Sequence, residues 1–209
     1  MNRFAPLLLL GALACGDSSP STPLDGSVRV DIEETRPGAP PIGPATECVV
    51  RTWSEPARAQ DHRAVCSAID YASLPPASGP HFSVWADFAT YGDEVPWGYL
   101  VHSLEHGAIF LGYDCPEGCP EVLDAFAAVI EAHGDDPLCA THPSADARFI
   151  VAPVSGLDAP VVALAWEYAY TATCVDDASL SAFVEDHYGL APEDLCNPGA
   201  AVTEGDWCP

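Results

Sequence analysis

The chain of 209 residues contains no lysine, and its seven basic residues, all arginine, stand against 31 acidic ones. Its formal net charge is −24. A surface with this balance repels phosphate backbones and anionic lipid headgroups. The composition therefore predicts that nucleic acid is not a partner, and it favours carboxylates that keep an exported protein soluble.

Methionine is also missing beyond Met1. Because soft thioether ligands favour Cu(I), a mature chain without them would have to bind copper through histidine. The sequence also lacks a P-loop, a G-x-S-x-G turn and a G-x-G-x-x-G fingerprint. No common nucleotide-binding or serine-hydrolase signature is therefore present.

Long hydrophobic runs are absent too, since the apolar stretch from Leu7 to Leu13 is far shorter than the roughly 20 residues that span a bilayer. It follows Arg3 and leads into small residues, which predicts a signal peptide over residues 1–14. The residues before Cys15, Ala-Leu-Ala, resemble a bacterial lipobox. We therefore expect Cys15 to be lipidated and the protein to be exported and membrane-anchored, in the periplasm or at the cell surface.

Residues 16–47 are rich in proline, serine, glycine and acidic residues and contain no run able to build a core. Together with Cys15, they predict a disordered tether over residues 15–47. Residues 48–209 then form a single globular domain. Loss of Arg3 with the signal peptide would change the formal charge from −24 to −25.

Eight of the nine cysteines remain if Cys15 is acylated, and an even number in an exported chain predicts disulfides. Eight cysteines allow 105 pairings, so the sequence leaves the connectivity open. Short loops favour two pairs, Cys48 with Cys66 and Cys196 with Cys208. Cys115 and Cys119 either bridge each other, reach Cys139 and Cys174, or, less in keeping with an oxidising compartment, form a metal-thiolate pair.

Regular elements are clearest in the second half of the chain. Hydrophobic patterning predicts a buried strand over 107–113, a helix that begins at Pro120 and ends before Gly134, and a last helix over about 178–188. Two further runs, 148–154 and 160–170, are typical of strands. This order predicts an α+β domain, with a small sheet packed on one face by helices.

Residues 72–98 form a long stretch with four prolines and three glycines. Such loops are uncommon in compact domains unless they are functional or disordered, and the aromatic content here argues against disorder. We therefore predict an ordered loop that folds over another part of the domain. Its aromatic residues are Phe82, Trp85, Phe88, Tyr91 and Trp97.

The stretch "LVHSLEH" places His102 and His106 four residues apart, so on a helix both imidazoles project from one face. Imidazole nitrogens suit Zn²⁺, Cu²⁺, Ni²⁺ and Fe²⁺. Glu105 lies next to the same face. It is a candidate for a third ligand, for an acceptor that fixes a ring tautomer, or for a base acting on bound water.

The loop supplies the best further ligand. His81 follows a turn stiffened by proline and Gly79, which would aim its imidazole. Tyr91 is a possible oxygen ligand or hydrogen-bond partner. His133 and His187 end helices, and His62 and His142 lie in polar stretches, so these four are weaker candidates.

Two other interpretations stay open. His102 and His106 can instead be packed core histidines of a structural or interaction module. "HSLEH" also has the form H-x-x-E-H of inverted zinc peptidases, with Glu105 as the base and Glu185 as a conceivable distant ligand. The strand-like segment directly after His106 argues against the long helix of those enzymes, so we lean against an enzyme.

The segments "LPPASGPHFS" and "LVHSLEHGAIFL", with the later "AWEY" and the closing helix, resemble the bacterial family called domain of unknown function 3105. The resemblance implies that the Ser-Gly-x-His turn and the His-rich segment belong to one module. It implies no activity. The sequence thus predicts a lipid-anchored domain that binds copper or zinc through His81, His102 and His106, supported by Glu105.

Overall fold

A six-stranded mixed sheet organises the part of the chain that the computed structural model describes, residues 31–56, 58–115, 118–200 and 207–208. Its order is β1-β2-β8-β7-β5-β6. Only β5 and β6 run parallel among these neighbouring pairs, the others being antiparallel. The strands are β1 (Asp31–Thr35), β2 (Val49–Ser54), β5 (Ile109–Tyr113), β6 (Phe149–Pro153), β7 (Val161–Ala165) and β8 (Tyr168–Ala172).

A second, two-stranded sheet pairs β3 (His62–Arg63) in parallel with β4 (His81–Phe82). Three α-helices complete the regular structure: α1 (Trp97–Glu105), α2 (Pro120–His133) and α3 (Asp177–His187). The predicted α+β class is confirmed. The signal peptide, Cys15 and the first part of the predicted tether lie outside the described residues.

The helices begin and end where local chemistry favours it. Proline occupies the first turn of α2, and Gly134 follows the helix at a φ of 76°. The Asp176 carboxylate caps α3 by accepting a hydrogen bond from the Ser179 N–H. None of the helices in the described residues is long and apolar enough to cross a membrane.

Alternating side chains give the sheet two cores. In β5, Ile109 and Leu111 join the cluster that contains Phe126 of α2 and Phe183 of α3, whereas Phe110 joins the cluster of α1 and the long loop. The prediction of helices on one face therefore missed a layer. The aromatic loop and α1 cover the second face, which is why β7 is buried along its whole length and β5 and β6 along nearly all of theirs.

Two sequence predictions differ from the structure in detail. The segment predicted as a tether contains β1, whose exposed residues pair with β2, so ordered chain begins before Cys48. Residues 160–170 are two strands rather than one. The hairpin turn between β7 and β8 contains no glycine or proline to signal it, because Glu167 itself adopts the left-handed conformation at a φ of 67°.

The eight cysteines form four disulfides, which indicate an extracytoplasmic protein. Only the local Cys115–Cys119 bridge agrees with the predicted pairings. The short-loop pairs are wrong because the fold brings distant segments together: β2 pairs with β8, which places Cys48 beside Cys174. The other two bridges are Cys66–Cys208 and Cys139–Cys196.

A buried arginine ties the sheet to the end of α1. The Arg148 Nε donates to Asp136 at 2.9 Å, and its Nη1 donates to the carbonyl of His106 at 2.8 Å and to Asp194 at 2.6 Å. Tyr188 also donates to Asp136. Burial alone would raise the pKa of the Asp136 carboxyl, but these donors and a backbone N–H hold that pKa below its usual value.

Candidate metal centre

The long loop carries His81 into the interior of the protein, where its side chain is fully buried. Gly79 supplies the turn at a φ of 112°, in the region that favours glycine. β4 then pairs with β3, which sets His62 directly beside His81. Backbone hydrogen bonds from the His81 and Ser83 amides to the carbonyls of Asp61 and Arg63 hold this register.

The helix α1 brings His102 and Glu105 to the same place, both 3% exposed. The loop packs tightly on this helix at Gly98, where a side chain would clash: an added Cβ would lie 2.6 Å from the Phe82 ring. Phe82 follows His81 directly. Glycine at position 98 therefore lets the loop approach α1 closely enough to join its histidine to the helix.

Three imidazole rings meet in a compact triangle. The ring centroids of His81 and His102 lie 4.6 Å apart, and each lies 4.9 Å from the ring of His62. One potential ligand atom from each of these rings and a carboxylate oxygen of Glu105 all lie within 4.8 Å of one another. We call His62, His81, His102 and Glu105 the histidine cluster.

Backbone carbonyls fix the two buried rings. The Nδ1 of His81 lies 2.9 Å from the carbonyl oxygen of Gly79, and the Nδ1 of His102 lies 2.7 Å from that of Phe82. A carbonyl only accepts hydrogen bonds, so both Nδ1 atoms carry the proton. In the neutral rings, each Nε2 therefore keeps its lone pair, which is the arrangement of a metal-binding histidine.

The contact between His81 and Glu105 is incomplete without a further positive group. The Nε2 of His81 lies 3.0 Å from the Glu105 Oε2, yet this buried nitrogen makes no hydrogen bond. A lone pair facing a carboxylate oxygen is repulsive. Either a proton on Glu105 or a bound cation relieves that repulsion.

The electrostatic setting keeps the two buried rings, His81 and His102, neutral. Burial lowers the pKa of His81, and burial together with the neighbouring imidazoles lowers that of His102 to about 3. Burial and the charge of Glu193 raise the pKa of Glu105 to about 7. Neutral imidazoles are the form that binds metal, so these rings need lose no proton on binding.

Sequence reasoning found part of this cluster. The structure brings together His81, His102 and Glu105 as predicted, but His62 takes the place expected for His106. The His106 Nε2 instead faces Glu193 at 3.2 Å, although its ring lies 4.7 Å from that of His102. The H-x-x-E-H pattern therefore does not place both of its histidines in the cluster.

Tyr91 lies elsewhere: its hydroxyl donates to the carbonyl of Asp87, and its ring packs on Trp207. His62 was missed because its polar surroundings carry no signal in the sequence. The two-residue pairing of β3 with β4, between positions far apart in the chain, is what makes it a candidate ligand.

Aromatic side chains and a late segment of the chain enclose the cluster. The Trp85 ring packs on the rings of His102 and His106, and Trp166, at the β7–β8 turn, packs edge-on against His81. The amides of Glu193 and Leu195 donate to the carbonyls of Glu105 and His106 at the end of α1. Apolar walls of this kind limit solvent access to a metal site.

Gly98→Ala tests whether the loop and helix must meet this closely. The added methyl group would push Phe82 away and shift the carbonyl that fixes His102. We expect metal affinity to fall about tenfold, as for other changes in groups that orient a ligand. Gly38→Ala is the control, because nothing lies within 4 Å of its Cβ. Competition with a chromophoric chelator measures both; equal affinities would show that the contact does not position His102.

The fold and site define a disulfide-linked α+β domain with a cluster of three histidines and one glutamate. The chain belongs to the family described as protein of unknown function (DUF3105), whose model matches residues 62–200. The match begins at His62 and covers all four members of the cluster. No curated protein and no solved structure matches the chain.

Proposed function

We propose that this protein is an extracytoplasmic, lipid-anchored domain that binds one transition-metal ion through His62, His81, His102 and Glu105. The proposal depends mainly on the two buried imidazoles of His81 and His102, whose Nδ1–H groups donate to backbone carbonyls and leave each Nε2 with a lone pair. The Nε2 of His81 faces the Glu105 carboxylate. The protein is exported, and Cys15 carries its lipid anchor.

The dimensions of the cluster suit one ion. A tetrahedral zinc ion with bonds of about 2.0–2.1 Å holds its ligand atoms roughly 3.4 Å apart. The cluster's candidate atoms lie within 4.8 Å of one another, so shifts of roughly 1 Å would bring them to a shared ion. Backbone carbonyls hold the rings of His81 and His102, while the exposed side chain of His62 has room to adjust.

The donor set favours Zn²⁺ or Cu²⁺ over Cu(I). Imidazole and carboxylate suit the divalent ions, and the eight cysteines of the described residues are held in disulfides. Three neutral rings and one carboxylate would leave a bound divalent ion with a net charge of +1. The strongly acidic chain compensates that charge at longer range.

Metal titration of the purified protein, freed of metal by a chelator and prepared without a His tag, tests the proposal. We expect one Zn²⁺ or Cu²⁺ per chain, and a rise in the melting temperature that a chelator reverses, because an ion that binds only the folded state stabilises it. The alternative, a structural or interaction module with packed histidines, predicts a melting temperature that neither metal nor chelator changes. That result, together with the absence of any bound ion, would favour the structural module over the metal-binding proposal.

A further inference from the structure

The Cys66–Cys208 disulfide lies on the segment that carries His62. Cys66 follows His62 by four residues, and a chain of four residues spans at most about 14 Å. Its partner Cys208 follows Trp207, whose buried ring packs on Tyr91 and Tyr99. The bridge therefore anchors the His62 segment to the core of the domain.

Besides this bridge, the His62 segment is held by the contacts of the His62 ring with His81 and His102 and by two backbone hydrogen bonds. Residues 61–66 are all exposed. Two backbone hydrogen bonds join them to β4, from the amides of His81 and Ser83. The net contribution of two such bonds to stability is smaller than the entropy cost of ordering six residues. The disulfide is thus the main restraint on the position of His62.

This disulfide is also the most accessible one in the described part of the chain. Both Cys66 and Cys208 are exposed, whereas each of the other three bridges has at least one buried cysteine. Thiol–disulfide exchange needs a thiolate to reach a sulfur atom, so exposure favours reaction at this bridge.

We infer that Cys66–Cys208 is a thiol-exchange site that controls metal affinity: its reduction by a dithiol releases the His62 segment and removes one ligand from the histidine cluster. This inference rests on the proposed metal-binding function and adds its regulation. One thiolate of the dithiol attacks a sulfur atom to form a mixed disulfide, and its second thiol displaces the remaining cysteine. Cys66 and Cys208 gain two electrons and two protons, and the dithiol leaves as a disulfide.

Thermodynamic linkage makes the coupling reciprocal. If the closed bridge raises metal affinity by some factor, bound metal must stabilise the bridge against reduction by the same factor. The metal-loaded protein should therefore hold its Cys66–Cys208 bridge at dithiol concentrations that reduce it in the metal-free protein. The local Cys115–Cys119 bridge, between β5 and α2, should show no such dependence on metal.

The test uses Zn²⁺, which is redox-inert, and the double variant Cys66→Ser plus Cys208→Ser, which opens the bridge without creating thiolate ligands. We expect zinc affinity to fall about tenfold or more, as when a group that orients a ligand is lost. Adding His62→Ala to this variant should cause little further loss, although His62→Ala alone weakens the wild-type protein. Cys115→Ser plus Cys119→Ser is the matched control and should bind zinc like the wild type.

Amide hydrogen exchange gives a second readout that does not depend on zinc. The amides of His81 and Ser83 should exchange faster in the Cys66→Ser plus Cys208→Ser variant, because the β3–β4 pairing opens, while the amides of the six-stranded sheet stay protected. Wild-type zinc affinity in that variant would overturn the inference and leave the metal site intact. Failure of the oxidised wild-type protein to bind zinc would overturn both.

Discussion

His81→Ala is expected to lower zinc affinity by about 100-fold or more, since groups that merely orient a ligand are already worth 10–100-fold. The side chain is fully buried, and its Nε2 makes no hydrogen bond although it faces Glu105. His102→Ala should have a similar effect. Chelator competition measures the affinity, and circular dichroism checks that the variants remain folded.

A comparison of His62→Ala with His106→Ala separates the two possible ligand sets. The sequence alone points to His106, whereas the geometry points to His62. We expect His62→Ala to weaken zinc binding strongly and His106→Ala to leave it within a fewfold of the wild type. Because His62 is exposed, its loss should also disturb folding little. The reverse order of effects would mean that the ligand set predicted from the helix spacing is correct.

Arg148→Met is expected to reduce the free energy of unfolding by about 3–5 kcal/mol, the usual result of removing one partner from a buried ion pair. Asp136 would remain buried beside Tyr188 without its cation, and the carbonyl of His106 would lose its donor. Urea denaturation measures the change. Adding Asp136→Asn should recover part of the loss, since it removes the uncompensated charge.

The exposed pair of Arg51 and Asp31 provides the control for this prediction. Its arginine side chain is 44% exposed, and solvent screens the interaction. Arg51→Met should therefore cost less than about 1 kcal/mol. A cost for Arg148→Met as small as this would mean that its buried network contributes specificity rather than stability.

The parts of the fold that follow from local patterns were predictable. The helix over 120–133 has an apolar stripe and a proline at its start, and β5 and β6 are short apolar runs between turn residues. β1 and β2 were not predicted, because β2 depends on a partner, β8, more than a hundred residues away, and β1 pairs only with β2 in the described sheet. The same distance explains the cysteines: the sequence indicates that they pair, but only the sheet decides which ones meet.

The candidate site, too, was predictable only where local sequence positions its residues. The spacing of His102 and Glu105 on one helix is a local property, and the glycine–proline turn marks His81 as a residue held in place. His62 has no comparable signal, since it and Arg63 are exposed residues of an irregular segment. Only their pairing with β4 shows that His62 lies beside His81. Glu193 was missed for a related reason, because the segment that carries it has no regular structure.

The chain order of these contacts bears on when an ion can be captured. Two contacts near the cluster depend on residues much later in the chain. Residues 193–195 close the end of α1, and Cys208 anchors the His62 segment. A chain that folds from its N-terminus therefore closes the cluster only after residues 193–195 and Cys208 have joined the domain.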